Sequence, residues 1–315
     1  MHLTERKDPA DELLVFRQPN ARRKATHVAP EEALQLLRHL GARVEIRGPF
    51  GTQTGLFYLA LPANSLNGAR SLLSHLGYTE SVQRVVMVGE KPRQRNAEVL
   101  RWKGKYYSLE TVYEANKEQL REMAPDRREF VLPSKDGGVR RVVGYRGDSG
   151  SLSRRGLAVA DCRMLVNLVY SPTAVRFLDP FGGAGGIVTE AIAHGLETFS
   201  VDLDPKVMYG LRFIGARHTV ADARSLPFGN ERFDAIAGEP PYEETALGAV
   251  RDALTEIDRV LKVESRVALL LSPSQLEPIA ERARHINWSI ELAEPIDRKG
   301  LRVHVLCCRK TSVRR

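Results

Sequence analysis

The sequence Asp179-Pro-Phe-Gly-Gly-Ala-Gly-Gly186 decides the fold of the second half of this chain. It is preceded by Ala174–Asp179, which is typical of a short buried strand, and followed by Gly186–His194, which has helical spacing. Glycines at such a turn let the main chain bend tightly and let a ligand approach the backbone beside the helix N-terminus. The phosphate-loop pattern Gly-x-x-x-x-Gly-Lys-Ser/Thr is absent, and Asp-Pro-Phe differs from the usual dinucleotide fingerprint. The turn alone therefore predicts a nucleotide-like ligand at a strand end.

Strands and helices alternate on both sides of this turn. Helices are predicted at Leu157–Tyr170, Gly186–His194, Pro205–Gly215 and Thr245–Leu261, and strands at Ala174–Asp179, Thr198–Asp202, His218–Ala221, Phe233–Ala237 and Arg266–Leu271. Ser289–Pro295 and Leu301–Cys307 flank the turn at Asp297–Gly300 and predict a terminal antiparallel hairpin. The second half is therefore predicted to be an α/β domain of Rossmann-like architecture, with a mostly parallel sheet that ends in this hairpin.

Two carboxylates stand directly after predicted strands of this sheet. Asp202, followed by Leu203, is placed where this class of fold accepts hydrogen bonds from ribose hydroxyls. Asp222, followed by Ala223, is placed where a side chain can accept from an adenine amino group. The alternatives are a helix cap for Asp202 and a turn-forming aspartate for Asp222.

The segment Gly238-Glu239-Pro240-Pro241-Tyr242 follows the fourth predicted strand. A Pro-Pro pair cannot continue a strand ladder, so its carbonyls and neighbouring side chains are held rigidly at the strand end. The tyrosine offers a flat face for a base, and a carboxylate can accept a hydrogen from an exocyclic amine as a methyl group arrives. Glu239, Pro240, Pro241 and Tyr242 are therefore the candidate catalytic residues, and a surface polyproline segment is the alternative.

These motifs resemble those of the class I amino-methyltransferases that use S-adenosylmethionine and carry an Asp/Asn-Pro-Pro-Tyr motif. Among these, the tRNA guanine-N2 methyltransferases of archaea and eukaryotes have a similar Asp-Pro-Phe-x-Gly-x-Gly-Gly turn, helix ending in Glu-Ala, and Asp-x-Asp at the second strand. The matching residues here are Asp179–Gly186, Ile187–Ala191 and Asp202–Asp204. The helix around Leu165-Val-Asn-Leu168 is also similar.

The resemblance implies S-adenosylmethionine as the cofactor and N2 of guanosine in tRNA as the methyl acceptor. The implied cofactor-binding residues are Asp179, Phe181, Gly182, Gly183, Gly185, Asp202, Leu203, Asp222 and Ala223. This chain departs from the family where Glu239 replaces the expected Asp or Asn, which puts the catalytic step in question. Two alternatives stay open: N6-adenine methylation of DNA or RNA, and a catalytically silent RNA-binding homologue.

The first half of the chain has a different character. Residues 1–155 carry 27 Lys and Arg against 18 Asp and Glu, whereas residues 156–315 carry 20 against 21. Residues 27–90 predict a small α+β module, and Gly147–Ser151 has the composition of a linker. We therefore expect residues 1–150 to form a basic α+β domain that captures RNA, and residues 151–315 to form the methyltransferase domain. A solvated arginine-rich surface is the alternative.

Basic residues cluster at several places in the first half, and aromatic residues are interleaved with them in one of these clusters. The clusters are Lys91–Arg95, Arg101–Tyr107 (the one with aromatics), Arg127-Arg128, Arg140-Arg141 and Arg146. Such a combination can hold phosphates and stack on unpaired bases. A hairpin turn at Lys103-Gly104 and a core position for Trp102 are the alternatives.

The remaining composition narrows the class of protein further. Hydrophobic residues make up 43% of the chain, and no apolar run approaches the roughly 18 residues of a membrane span. The polar start predicts no secretory signal, so we expect a cytoplasmic protein without membrane contact. Cys162, Cys307 and Cys308 are too few for a disulfide framework or a zinc site, and they are predicted to be reduced packing residues, with no metal bound.

Overall fold

The computed structural model describes residues 11–19, 25–45, 48, 50–51, 53–89, 99–116, 128–133, 139–144, 157–205, 215–298 and 301–312. The chain divides into two compact units, Met1–Lys117 and Glu118–Arg315. This division comes earlier than the boundary predicted near residue 150, because composition identifies turn-rich segments and not the contacts that a segment makes. The predicted linker Gly147–Ser151 lies outside the described residues.

The first unit is built on an antiparallel sheet. Its elements are β1 (Asp11–Arg17), α1 (Val28–Leu37), β2 (Arg43–Glu45), β3 (Leu56–Pro62), α2 (Leu66–Leu73), β4 (Ser81–Gly89), β5 (Val99–Trp102) and β6 (Lys105–Glu114). The strand order is β2-β3-β1-β4-β6-β5. The α+β class is confirmed, although β1, a central strand whose residues Leu13–Phe16 are buried, lies before the segment assigned from the sequence.

The helices of the first unit pack through their apolar positions, and α1 also carries a buried acid. Glu32 is fully buried and accepts hydrogen bonds from the main-chain N–H groups of Gly77 (2.7 Å) and Tyr78 (3.0 Å). Lys103 and Gly104 form the predicted hairpin turn between β5 and β6, both with positive φ. The basic cluster Lys91–Arg95 lies outside the described residues.

The second unit begins with a two-stranded hairpin, β7 (Arg128–Pro133) and β8 (Val139–Gly144), and continues into a larger α/β fold. Its further elements are α3 (Val159–Val169), β9 (Arg176–Asp179), α4 (Gly186–Ala193), β10 (Glu197–Asp202), β11 (Arg217–Val220), β12 (Phe233–Gly238), α5 (Leu247–Val260), β13 (Leu261–Leu271), α6 (Pro273–His285), β14 (Trp288–Arg298) and β15 (Leu301–Lys310).

These strands form a seven-stranded sheet in the order β11-β10-β9-β12-β13-β15-β14. The first five are parallel, and β15 pairs antiparallel with both β13 and β14. The Rossmann-like architecture and the terminal hairpin are therefore confirmed. The carboxyl ends of β9, β10 and β12 meet at one edge of the sheet, because parallel neighbours run in the same direction.

Buried apolar side chains on the central strands stabilise this sheet, because both of its faces are covered. Phe177, Leu178, Val201 and Ile236 are fully buried, which explains the apolar runs at the strands that were predicted from the sequence. Burying one such side chain stabilises the fold by about 1.5–3 kcal/mol. The cysteines Cys162, Cys307 and Cys308 are also buried in this unit, in agreement with their predicted packing role.

Helix α6 was not predicted from the sequence. It starts with a capping box in which the Ser272 side chain accepts from the main chain of Gln275, and Gln275 Oε1 accepts from Ser272 N at 3.1 Å. Pro273 at the first helical position also favours the start, but Pro278 inside the helix weakens its sequence pattern. The helix predicted at Pro205–Gly215 lies largely outside the described residues. None of the described helices has the length and apolar character needed to cross a bilayer.

Candidate active site

The glycine turn between β9 and α4 is fixed by main-chain contacts to β10. Gly182 N donates to Val201 O at 2.7 Å, and Gly183 and Gly185 have φ values of 48° and 78°. A Cβ atom on Gly182 would lie 2.1 Å from Ser200 Oγ and 3.2 Å from Val201 O. The turn therefore needs glycine for close approach at one position and for a left-handed backbone at two others.

Asp202 connects this turn to the end of β10. Its Oδ2 atom accepts from Gly183 N at 2.9 Å, and its Oδ1 atom accepts from Asp204 N at 2.8 Å. The carboxylate thus supports the loop and remains part of the cleft wall. Each oxygen has a second lone-pair position, so these contacts leave acceptor capacity for a ligand hydroxyl.

A cleft of about 610 Å³ opens at this edge of the sheet. It is lined by predicted site residues Asp179, Phe181, Gly182, Gly183, Asp202, Leu203, Asp222, Ala223, Glu239, Pro240, Pro241 and Tyr242. Gly185 does not line the cleft; it is the N-cap of α4, where its positive φ starts the helix. The structure therefore brings together four stretches of sequence that are spread over about 60 positions, although their roles toward a ligand stay predictions.

Asp179 lies at the base of the cleft, where it is almost fully buried. Its Oδ1 atom accepts from Phe181 N at 3.0 Å. Burial raises the pKa of this carboxyl to about 8, and the negative charges of Asp202 and Glu239 act in the same direction. Burial therefore favours the neutral, protonated form of Asp179, next to two carboxylates of the predicted site.

Replacing Asp179 with Asn is expected to reduce the pH dependence of stability. The pKa rises from 3.8 in the unfolded chain to about 8 in the folded chain. The protonated carboxyl therefore contributes its full stabilisation below pH 3.8, and this contribution is lost as the pH rises to about 8. As the pH rises between these two values, the free energy of unfolding of the native chain should fall relative to that of Asp179→Asn, by at most about 1.4 kcal/mol per pH unit.

Urea unfolding at several pH values measures this difference, and Asp252→Asn on the exposed face of α5 is the control. Parallel curves for the native chain and Asp179→Asn would contradict a raised pKa for Asp179.

Asp222 stabilises a turn, which its sequence context predicted as the alternative to an adenine contact. Its Oδ1 atom accepts from Arg224 N at 2.8 Å, and the Arg224 guanidinium lies 2.6 Å from Oδ2. These hydrogen bonds lower the pKa of Asp222. The residue also lines the cleft, so an adenine contact stays a prediction that would share this carboxylate with Arg224.

The Glu239-Pro240-Pro241-Tyr242 segment leaves the end of β12 and is anchored from two directions. Gln275 Nε2, at the start of α6, donates to Pro241 O at 2.7 Å. The Tyr242 hydroxyl donates to Glu239 Oε1 at 2.5 Å, which brings the two ends of the motif together. A Cβ atom on Gly238 would lie 2.9 Å from Phe181, so the motif also packs closely against the glycine turn.

Sequence reasoning missed two charged residues that complete this arrangement, Arg298 at the end of β14 and Asp161 on α3. Arg298 Nη1 donates to Glu239 Oε1 at 2.8 Å, and its Nε lies 3.0 Å from Asp161 Oδ2. Burial acts to lower the pKa of Arg298, but the charges of Asp161 and Glu239, together with Tyr242 and the hydrogen bond to Glu239, raise it overall. Arg298 belongs to the predicted hairpin turn, and nothing in its local sequence indicates a contact with a motif near residue 240.

Comparison with known proteins agrees with this architecture. Residues 179–269 match a family described as "Methyltransferase domain". The crystal structure of TrmN from Thermus thermophilus aligns with 95% of this chain and 99% of its own, with a TM-score of 0.50 and 19% identity, which supports the fold alone.

Two curated archaeal relatives are both described as tRNA (guanine(10)-N2)-dimethyltransferase. The protein from Methanothermobacter thermautotrophicus is 31% identical over 134 residues, which cover 40% of this chain and 33% of the relative. The protein from Pyrococcus abyssi is 34% identical over 102 residues, which cover 29% and 30%. The chain therefore spans about a third of the length of these relatives in each match.

The parallel sheet, the glycine turn and the cleft at the strand ends define a class I methyltransferase domain, and the family match at residues 179–269 confirms it. The cofactor of this class is S-adenosylmethionine, as predicted from the sequence. Two relatives in sequence are described as tRNA methyltransferases.

The residues of the cleft fit this cofactor. Gly182 and Gly183 line the cleft with main-chain atoms, the Asp202 carboxylate has acceptor positions beyond its two main-chain contacts, and the exposed Leu203 offers an apolar surface beside it.

Proposed function

We propose that this chain is an RNA methyltransferase that transfers a methyl group from S-adenosylmethionine to N2 of guanosine in tRNA. The observation that carries the proposal is that Glu239 and Tyr242 line the same cleft as the glycine turn and Asp202. An amine-directed motif next to a cofactor cradle is what methylation of a nucleobase amine requires. The descriptions of the two archaeal relatives support tRNA guanine as the acceptor.

The cofactor supplies an activated methyl group bonded to a positively charged sulfur. In the proposed arrangement, the Gly182–Gly183 backbone and the Asp202 carboxylate hold the cofactor at the ends of β9 and β10. The main-chain carbonyls near Pro240 and the ring of Tyr242 then hold the base, which must leave its stack to enter the cleft.

The exocyclic nitrogen of guanine is a poor nucleophile, because its lone pair is delocalised into the ring. A hydrogen bond from the amine to Glu239 frees that lone pair as the nitrogen attacks the methyl carbon. The new bond is carbon–nitrogen, the broken bond is carbon–sulfur, and the sulfur leaves as a neutral thioether. The nitrogen then loses a proton, for which Glu239 is the assigned acceptor.

The first unit is proposed to capture the RNA, because the excess of basic residues lies in the first half of the chain. Exposed basic side chains in the described part of this unit are Arg17, Arg38, Arg43, Arg70, Arg101, Lys103 and Lys105. Two of these charges are partly compensated, because Arg38 pairs with Glu31 and Arg43 pairs with Asp11. The remaining positive surface is suited to phosphate contacts that carry no sequence information.

The test is to incubate the full chain with labelled S-adenosylmethionine and unmodified cellular tRNA, and to identify modified nucleosides by mass spectrometry. We expect N2-methylguanosine, and tRNA binding that weakens steeply as salt is raised. N6-methyladenosine, from RNA or from a parallel DNA reaction, would replace guanine with adenine as the acceptor. Cofactor binding without product on any nucleic acid would favour a silent homologue and overturn the proposal.

A further inference from the structure

Arg298 contacts Glu239, a residue of the cleft wall, from an element that the family match does not include. It is the last residue of β14, beyond residue 269, and it pairs with Leu301 across the terminal hairpin. Its side chain is only 5% exposed although it carries a full positive charge. Guanidinium groups are buried in this way only where carboxylates and hydrogen-bond acceptors surround them.

Three groups from two parts of the second unit surround this guanidinium, Asp161 on α3 and both Glu239 and Tyr242 in the segment after β12. Asp161 on α3 is fully buried and lies 3.0 Å from Nε. Glu239 accepts from Nη1 at 2.8 Å, and the Tyr242 hydroxyl lies 3.2 Å from the same nitrogen. Because Asp161 already balances the charge of Arg298, the contact with Glu239 is not needed to neutralise a buried cation.

The contact instead fixes one oxygen of Glu239. Both Arg298 and Tyr242 donate to Oε1, and no hydrogen bond from the described residues reaches Oε2. The Glu239 side chain is 22% exposed and lines the cleft. A flexible glutamate is therefore held by one oxygen while its other oxygen stays available as an acceptor.

We infer that Arg298 is a positioning residue for methyl transfer, which orients Glu239 so that Oε2 accepts the amine hydrogen of the base. This inference rests on the proposed function. It also explains how a glutamate can replace the expected Asp or Asn. The Arg298 guanidinium binds Oε1 and so fixes the position of the longer side chain. Holding a catalytic group in one geometry raises kcat, whereas cofactor binding at Asp202 does not depend on it.

The experiment measures kcat with unmodified cellular tRNA and the dissociation constant for S-adenosylmethionine. For Arg298→Met we expect kcat to fall at least tenfold while cofactor affinity changes less than threefold. Arg298→Lys should recover part of kcat, because an ammonium can donate to Glu239 but lacks the planar guanidinium that also spans Asp161. The control is Arg309→Met on β15, whose side chain pairs with Glu291 outside the cleft and should leave kcat unchanged.

Arg298→Met also removes the positive charge of Arg298 from beside the buried Asp161 carboxylate, which lowers stability by itself. The double variant Asp161→Asn with Arg298→Met removes both charges, so its melting temperature should return toward the native value while kcat stays low. A combined Glu239→Gln and Arg298→Met variant should show no further loss beyond Glu239→Gln, since both changes act on one acceptor.

The positioning role would be overturned by a native kcat in the variant that combines Asp161→Asn with Arg298→Met. A fall in kcat of Arg298→Met that is matched by an equal fall in its folded fraction would also overturn it. A native chain that methylates no RNA would overturn the proposed function, and with it this inference.

Discussion

Replacing Glu239 with Gln is expected to lower kcat for methyl transfer by about 100-fold or more. The amide keeps the size and one acceptor oxygen of the carboxylate, but Arg298 and Tyr242 already donate to that side of the group. The end that faces the base would then be an NH₂ group, which donates and cannot accept from the amine. The affinity for S-adenosylmethionine should change little, because the cofactor contacts are assigned to β9 and β10.

Kinetics with labelled cofactor, together with calorimetry for cofactor binding, separate these two effects. Glu244→Gln, an exposed position on the same stretch of chain, is the matched control and should leave kcat unchanged. A Glu239→Gln variant with native kcat would remove Glu239 from the reaction.

Shortening the same side chain gives a separate result. Glu239→Asp moves the carboxylate one methylene away from Arg298 and Tyr242, so we expect lower kcat in a chain built around the longer acid. Activity that appears in Glu239→Asp and is absent from the native chain would instead mean that glutamate blocks the chemistry. The silent homologue would then be the better description.

Replacing Asp202 with Ala is expected to weaken S-adenosylmethionine binding by about tenfold to a hundredfold. Hydrogen bonds to a charged group contribute about 1.5–3 kcal/mol each, and this carboxylate is assigned to the ribose. A carboxylate at the end of a strand is not expected to contribute to the packing of the core. The structure changes that expectation, because Asp202 also accepts from Gly183 N and Asp204 N, so a lower melting temperature should accompany the weaker binding.

Calorimetry of cofactor binding tests this expectation, with melting curves to confirm that each variant is folded. Glu197→Ala lies at the other end of β10, where its carboxylate pairs with Arg176, and it should bind the cofactor like the native chain. Native affinity in Asp202→Ala would exclude Asp202 from the cofactor site.

The sequence predicts those parts of the site that depend on local backbone geometry. Glycines between a strand and a helix, or a Pro-Pro pair after a strand, serve only a few structural purposes. The sequence alone therefore predicts that Gly182 and Pro241 lie at the edge of the cleft. Parallel strand order then brings both segments to one edge. The burial of Asp179 and the resulting pKa of about 8 could not be predicted, because they depend on packing from several elements.

Long-range contacts explain the rest of what the sequence did not reveal. Helix α6 has a proline inside it, so its periodic pattern is weak, yet Gln275 at its start holds Pro241. The contact of Arg298 with Glu239 joins residues on β14 and after β12, and only the antiparallel return of the terminal hairpin brings them together. Side-chain pairs of this kind have no spacing rule in the sequence.

The terminal hairpin also determines the smallest fragment that could keep the whole site. A fragment cut at residue 269, where the family match ends, would contain the glycine turn, Asp202 and the Glu-Pro-Pro-Tyr segment. It would lack Gln275, which anchors Pro241, and Arg298, which holds Glu239. It would also expose one side of β13 that β15 normally covers. A truncated form of this domain, made for expression or for transfer into a fusion protein, must therefore retain the chain through β15.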